Sequence, residues 1–232
     1  MFGTINVLVN NASYLQGAFI EEAGPKDYLN NFLVNVCGTI NVTGEILHYF
    51  RSKNSGTIVF MGSRSGWEGD FSAAPYNATK YALEGTLYRC FSRLIHIHLS
   101  FAPGIRSMIG QPGQFRTNIL SPDRLSMHDG VEKTLLDELK KMQGQQPGDL
   151  DRAAERIIDV VRGEGMVEGK PFLERLPLRD DTIRAIRVKC KDVLEICDEW
   201  ADASKSTSFE GGWGVKLGLF GKKDSCEVYD AN

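Results

Sequence analysis

The chain has 232 residues, 42% of them hydrophobic and 25% charged, which suits one domain with a substantial core and gives no reason to expect two. A net charge of -3 offers no electrostatic case for nucleic acid or an anionic membrane surface. Five cysteines without a C-x-x-C pair fit neither a disulfide framework nor a zinc knuckle. With no leader of signal-peptide type and no apolar run of spanning length, a reducing, cytoplasmic setting is expected.

In chain order, "INVLVNNA" (5–12) is a short β-branched run ending in a polar cluster, and reads as a buried strand. Residues 25–53 read as a helix, opened by Pro25 and stopped at Gly56. "TIVFMGS" (57–63) is a second strand, 76–93 a second helix and "GIRSMIG" (104–110) a third strand. Strand and helix alternating across short polar joints predicts an α/β fold, a parallel sheet with flanking helices. Beyond Pro122 helices are expected over 135–142, 151–161 and 181–203, with "GKPFLERLPL" as an extended piece between the last two. Residues 204–232, rich in Gly and Ser without periodicity, read as a poorly ordered tail.

The stretch "GSRSGWEGDFSAAPYNATKYALEG" (62–85) carries the chemistry. Tyr-x-x-x-Lys by itself is weak, and the chain contains a decoy in Tyr49 and Lys53. Thirteen positions upstream of Tyr49 stands Val36, which has no chemistry. Thirteen upstream of Tyr76 stands Ser63, at the carboxyl end of a predicted strand, where open parallel sheets place their ligands. On a helix Tyr76 and Lys80 share a face one turn apart. A lysine cation within about 4–6 Å lowers a tyrosine pKa by roughly 1–3 units, which would bring the phenol into acid/base range. A serine hydroxyl opposite it can hydrogen-bond an oxygen on which charge develops. Such a trio moves a proton but cannot accept hydride, so a cofactor is implied. Ser65 is an alternative to Ser63, although the register to Tyr76 favours Ser63.

Four motifs in order, "NNAS" at Asn10, "VNVCG" around Asn35, Ser63 with "YNATK", and "PGQFRT" (112–117), resemble the classical short-chain dehydrogenase/reductase family. The resemblance runs from Gly3 to Thr117 and less specifically to Ala203. It implies a Rossmann-type sheet and an NAD(P)-dependent oxidoreductase that interconverts an alcohol and a carbonyl, with NADP or NAD as cofactor and a small-molecule substrate. It also implies roles. Tyr76 is the general acid/base, Ser63 orients the substrate oxygen, and Lys80 depresses the tyrosine pKa and grips the nicotinamide ribose. Asn35 holds a water linking Lys80 to solvent. Asn10, the backbone around Phe115 and the Thr117 hydroxyl touch the cofactor. Trp67, Phe71 and Phe115 fall in loops that line the family's substrate pocket, or else serve as apolar cover for the sheet end. The helices 25–53 and 76–93 pack in the family against a second subunit, which leaves a homo-oligomer open.

The family's glycine-rich strand–turn–helix has no counterpart here: "GEGMVEG" has Glu168 where its last glycine belongs, and "GLFGKK" fails as a P-loop at Lys216 and Lys223. The chain is therefore expected to be N-terminally truncated, an incomplete Rossmann-type domain over 1–203 whose first strand has an open apolar edge. Losing about three hydrogen bonds to charged phosphate oxygens, at roughly 1.5–3 kcal/mol each, would weaken cofactor affinity by on the order of a thousandfold or more. Ser13 replaces a family glycine, a mild cost if positive φ is needed there. The segment around His96 and His98 departs in length from the family pattern, and two histidines without a third ligand make no metal site. The alternative reading is a truncated, catalytically inactive fragment or interaction module. A serine hydrolase is disfavoured, since there is neither a G-x-S-x-G elbow nor a suitably placed histidine.

Overall fold

A computed structural model describes residues 3–85, 104–121, 125–127, 137, 139 and 141–208. The histidine pair, the distal half of the 76–93 helix and residues 209–232 lie outside them. Strands β1 (Val7–Asn10), β3 (Gly56–Met61), β4 (Ile105–Pro112) and β6 (Arg175–Leu178) form one sheet in the order β1-β3-β4-β6, and every pairing in it is parallel. β2 (Leu15–Gly17) and β5 (Leu125–Met127) make a second parallel pair. The fold class is thus the α/β one expected, and the extended piece before the last long helix is β6.

β3 explains why this sheet needs two faces. Its side chains alternate, as a pleated strand requires. Ile58 and Phe60 face a cluster with Val36, Phe50, Leu83, Ile105 and Ile109, while Val59 faces Met108 and Val160. Ile58, Val59 and Phe60 are buried on both sides, hence a continuous apolar run rather than alternation. β1 is the outer strand, and its Val7 and Val9 are exposed.

The helix expected over 25–53 is three pieces: α1 (Pro25–Phe32), a π-helical turn (Leu33–Gly38) and α2 (Thr39–Lys53). A π turn spaces carbonyl and amide one residue further than an α-helix does, and such turns recur at functional sites. Asn35 stands in the middle of it. α2 ends differently from expectation. Asn54, at φ 51, is the left-handed cap, and Gly56 instead opens β3. Gly56 lacks a side chain because the Phe50 ring fills that space, where a Cβ would sit 2.3 Å from it.

α3 (Ala74–Leu83) follows the loop after β3, and α4 (Leu150–Arg162) covers the Val59 face. Asp149 caps α4 by accepting from the Asp151 and Arg152 amides, and Gly163 closes it at φ 72. "GEGMVEG" is this turn, with Gly163, Gly165 and Gly169 all at positive φ. α5 (Asp180–Glu199) begins after β6, and α6 (Ala201–Lys205) follows it. A first compact unit ends at Lys189, and a second runs from Cys190, with nearly all its described residues exposed. Cys190 and Cys197 are free and exposed. Among the described residues no helix is long and apolar enough to cross a membrane, and no group of acidic, histidine or cysteine side chains could hold a metal.

Candidate active site

The carboxyl ends of β1, β3 and β4 lie side by side because the three strands are parallel and in register. The loops leaving them border a cavity of about 650 Å³. Ser63, Tyr76, Lys80, Phe115 and Thr117 all line it, and so does Phe71. Trp67 does not. Its ring stacks under the Arg175 guanidinium, 4.9 Å away.

Ser63 is locked by its own loop. Its Oγ accepts the Ser65 amide at 3.1 Å, capping a short 3-10 turn (Arg64–Gly66). The hydroxyl proton is left for the Tyr76 oxygen, to which Ser63 is hydrogen-bonded, and that bond favours the phenolate. Ser65, which also lines the cavity, makes a different bond, its hydroxyl donating to Asp70 at 3.3 Å.

Tyr76 and Lys80 share the buried face of α3. The Lys80 ammonium donates to the Met61 carbonyl at 3.0 Å and stands 5.4 Å from the centre of the Tyr76 ring. The expected acidification of Tyr76 by Lys80 does not appear. Burial pushes the phenol up to about 12, with the Ser63 bond opposing and the Asp70 charge adding to the rise. Burial also takes Lys80 down to about 8, against the pull of Glu84. Removing water costs both charged forms more than their neighbours return.

Asn35 is almost wholly buried. Its Nδ2 donates to the Tyr14 carbonyl and to Thr79 Oγ1, each at 3.1 Å, and its Oδ1 accepts the Tyr14 amide at 3.1 Å. Both amide protons are therefore engaged, and this side chain ties the loop after β1 to α3. Its backbone carbonyl also accepts from the Thr39 hydroxyl at 2.9 Å. Asn10 is turned away from the cavity and donates to Thr43 Oγ1 at 3.0 Å. Its neighbour Asn11 lines the cavity instead, as does Ser13, whose buried Oγ has no partner. Ser13 carries no positive φ, so the backbone cost anticipated there is absent. Thr117 is held by its own turn, its Oγ1 accepting the Ile119 amide at 3.2 Å.

One charged cluster escaped the sequence reading. Glu84, one turn beyond Lys80 on the same helix, accepts from Gln111 Nε2 at 2.7 Å and pairs with the Arg175 guanidinium at 3.1 Å. Burial raises its carboxyl above the usual range, opposed by Gln111, Arg175 and Lys80. The i+4 spacing from Lys80 was visible, but Arg175 arrives only through β4–β6 pairing. The outer wall of the cavity is apolar at Phe71, Leu120, Leu139 and Met142, with the amide of Gln146 buried and unpartnered among the described residues.

The family pattern described as short chain dehydrogenase matches residues 1–127. An uncharacterized oxidoreductase, YusZ of Bacillus subtilis, is 32% identical over 165 residues, 67% of this chain and 56% of that protein. The crystal structure of a short-chain dehydrogenase from Streptomyces avermitilis superposes at TM-score 0.70 and 28% identity, covering 88% of this chain and 71% of that one. A gluconate 5-dehydrogenase from Burkholderia cenocepacia, in complex with NADP and tartrate, shares the fold at TM-score 0.56 and 22% identity, covering 78% of this chain and 66% of that one. The chain thus spans little more than half the length of YusZ. By pattern and by fold alike, this chain belongs to the short chain dehydrogenase family.

Proposed function

We propose that the protein is an oxidoreductase that uses NADP or NAD to interconvert an alcohol and a carbonyl, with Tyr76 as the proton-transferring residue. The observation that carries this reading is that Ser63, Tyr76 and Lys80 meet at the wall of one cavity, Tyr76 and Lys80 one turn apart on the buried face of α3. The residues present suit the nicotinamide–ribose end of such a cofactor: the unpartnered Ser13 hydroxyl, Asn11, Phe115 and Thr117 line the same cavity as Lys80. The sequence has no glycine-rich turn for the pyrophosphate.

When bound, the nicotinamide gives or takes the hydride. The chain handles the proton. At neutral pH a phenol raised to about 12 keeps its proton, so Tyr76 is set to donate it to the oxygen of a carbonyl undergoing reduction. Ser63 donates to the same oxygen as charge builds on it. When the product oxygen leaves, the Ser63 hydroxyl turns back to the phenolate and favours it, with the Lys80 ammonium 5.4 Å from the ring centre. In the reverse direction the phenolate takes the alcohol proton, which asks for higher pH. Phe71, Leu120, Leu139 and Met142 suit a substrate with a hydrocarbon body, on which Gln146 can supply a polar contact.

Mixing the protein with NADPH or NADH and a series of apolar ketones and aldehydes tests the reading through the loss of reduced-nicotinamide absorbance. Turnover should hold across neutral pH and fall as pH rises past about 8, where Lys80 gives up its charge. If millimolar cofactor changes neither tryptophan fluorescence nor melting temperature, the oxidoreductase reading fails for this chain, and the inactive-fragment reading replaces it.

A further inference from the structure

Glu84 lies outside the proton path described above, yet three elements converge on it. It is 8% exposed, and its carboxylate meets Gln111 of β4 at 2.7 Å and Arg175 of β6 at 3.1 Å. The loop that carries Ser63 is pressed against it. A Cβ on Gly62 would come within 3.1 Å of Glu84 Oε1, and one on Gly66 within 3.0 Å of its Cγ. Those two glycines bracket Ser63, and the room they leave is filled by this side chain.

Among the described residues the charges around it are few. Lys80 faces it from its own helix, Arg175 from β6, and Gln111 of β4 is neutral. The remaining acid near the trio, Asp70, acts on Tyr76 and is paired with Arg64 at 2.9 Å. Glu84 therefore pairs with Arg175 and acts by charge on the buried Lys80 one turn back, so its loss would take a counter-charge from that ammonium.

We infer that Glu84 is a positioning residue of the proposed oxidoreductase site: its carboxylate seats the Ser63 loop on α3 and supplies the counter-charge that keeps Lys80 an ammonium beneath Tyr76. The inference rests on the proposed function only for its catalytic consequence, since the charge pairing belongs to the chain by itself. A merely structural ion pair with Arg175 would stabilise the fold but leave Lys80 indifferent to it.

The test follows Lys80 directly. In protein labelled with carbon-13 at lysine side chains, the Lys80 signal is assigned by its loss in Lys80→Arg and titrated in wild type, Glu84→Gln and Glu84→Asp. The Glu84→Gln midpoint should fall by about one unit or more, and Glu84→Asp should restore most of it. The alkaline limb of the carbonyl-reduction rate should move to lower pH by the same amount, with little change in KM. A Lys80 midpoint unmoved in folded Glu84→Gln overturns the inference, as does a midpoint that moves while the rate profile stays. If Glu84→Gln does not fold, Arg175→Gln decides: with its competitor for the carboxylate gone, the Lys80 midpoint should rise, and no rise overturns the claim. Absence of turnover in every protein counts against the oxidoreductase reading, and the Lys80 titration then decides the role of Glu84.

Discussion

The chain holds two Tyr-x-x-x-Lys pairs, and their fates differ. Tyr76 and Lys80 sit on the buried face of α3, roofed by the Ser63 loop, with their polar ends at a cavity wall. Tyr49 and Lys53 sit on the last turns of α2, where Tyr49 Oη accepts the Ile5 amide at 3.3 Å and Lys53 Nζ donates to the Ile5 carbonyl at 3.0 Å. Lys53 also bonds the Asn6 side chain. The second pair therefore clasps the residues that lead into β1. Even the cation–ring distances are close, 5.4 Å in one pair and 5.8 Å in the other. Equal spacing gives equal local geometry. What separates a proton-transfer pair from a fastener is burial and a third group at the phenol oxygen.

The largest expected effect comes from exchanging the two tyrosines for phenylalanine. Tyr76→Phe should lower turnover by about 10²–10⁴ while the circular dichroism spectrum stays native. Tyr49→Phe should leave turnover within experimental scatter. Substantial activity in Tyr76→Phe would erase the difference between the two pairs.

Asn35→Ala comes next. It strips partners from the buried Tyr14 amide and carbonyl that tie the loop after β1 to α3, at a cost of about 1–3 kcal/mol. At about 2–4 °C per kcal/mol, thermal unfolding should show a clear drop in melting temperature. An unchanged melting temperature would mean that the loop does not depend on this side chain.

Burial of Lys80 and Tyr76 predicts a pH-dependent stability. Folding lowers Lys80 from 10.5 to about 8, so between those values the folded chain holds fewer protons than the unfolded one, and stability rises with pH. Folding raises Tyr76 from 10.0 to about 12, so the folded chain holds more protons across that window, and stability falls with pH there. Denaturant unfolding of Lys80→Met should lose the rise seen in wild type between neutral pH and about pH 9.5. A wild-type profile as flat as the variant's would contradict a buried, destabilised ammonium. The smallest effect belongs to Lys53→Met, which should cost under about 1 kcal/mol and leave both turnover and the pH profile alone.

Much of the site was legible because its parts are local. Ser63 follows a strand, and Tyr76 and Lys80 are one turn apart on a helix, so short-range geometry fixes each before any packing is known. The two asparagines at the end of β1 part for an equally local reason. Side chains alternate along a strand, and Asn10, the last paired residue of β1, points to Thr43, which leaves Asn11 beyond the pairing to line the cavity. Asn35 was found by motif, but its task was hidden, since the π turn around it and the Tyr14 backbone it grips come together only in the folded chain. The Tyr76 acidity was misjudged because spacing reports the lysine and not the water that burial removes.

By itself the sequence determined the alternating α/β elements, the parallel sheet and the spacing of Ser63, Tyr76 and Lys80, all set by periodicity along a few dozen neighbouring residues. Tertiary structure alone decided which Tyr-x-x-x-Lys pair is buried, which way the asparagines face and what countercharge Lys80 meets. Those depend on desolvation and on partners such as Arg175 and Gln111, which reach Glu84 only when β4 and β6 pair.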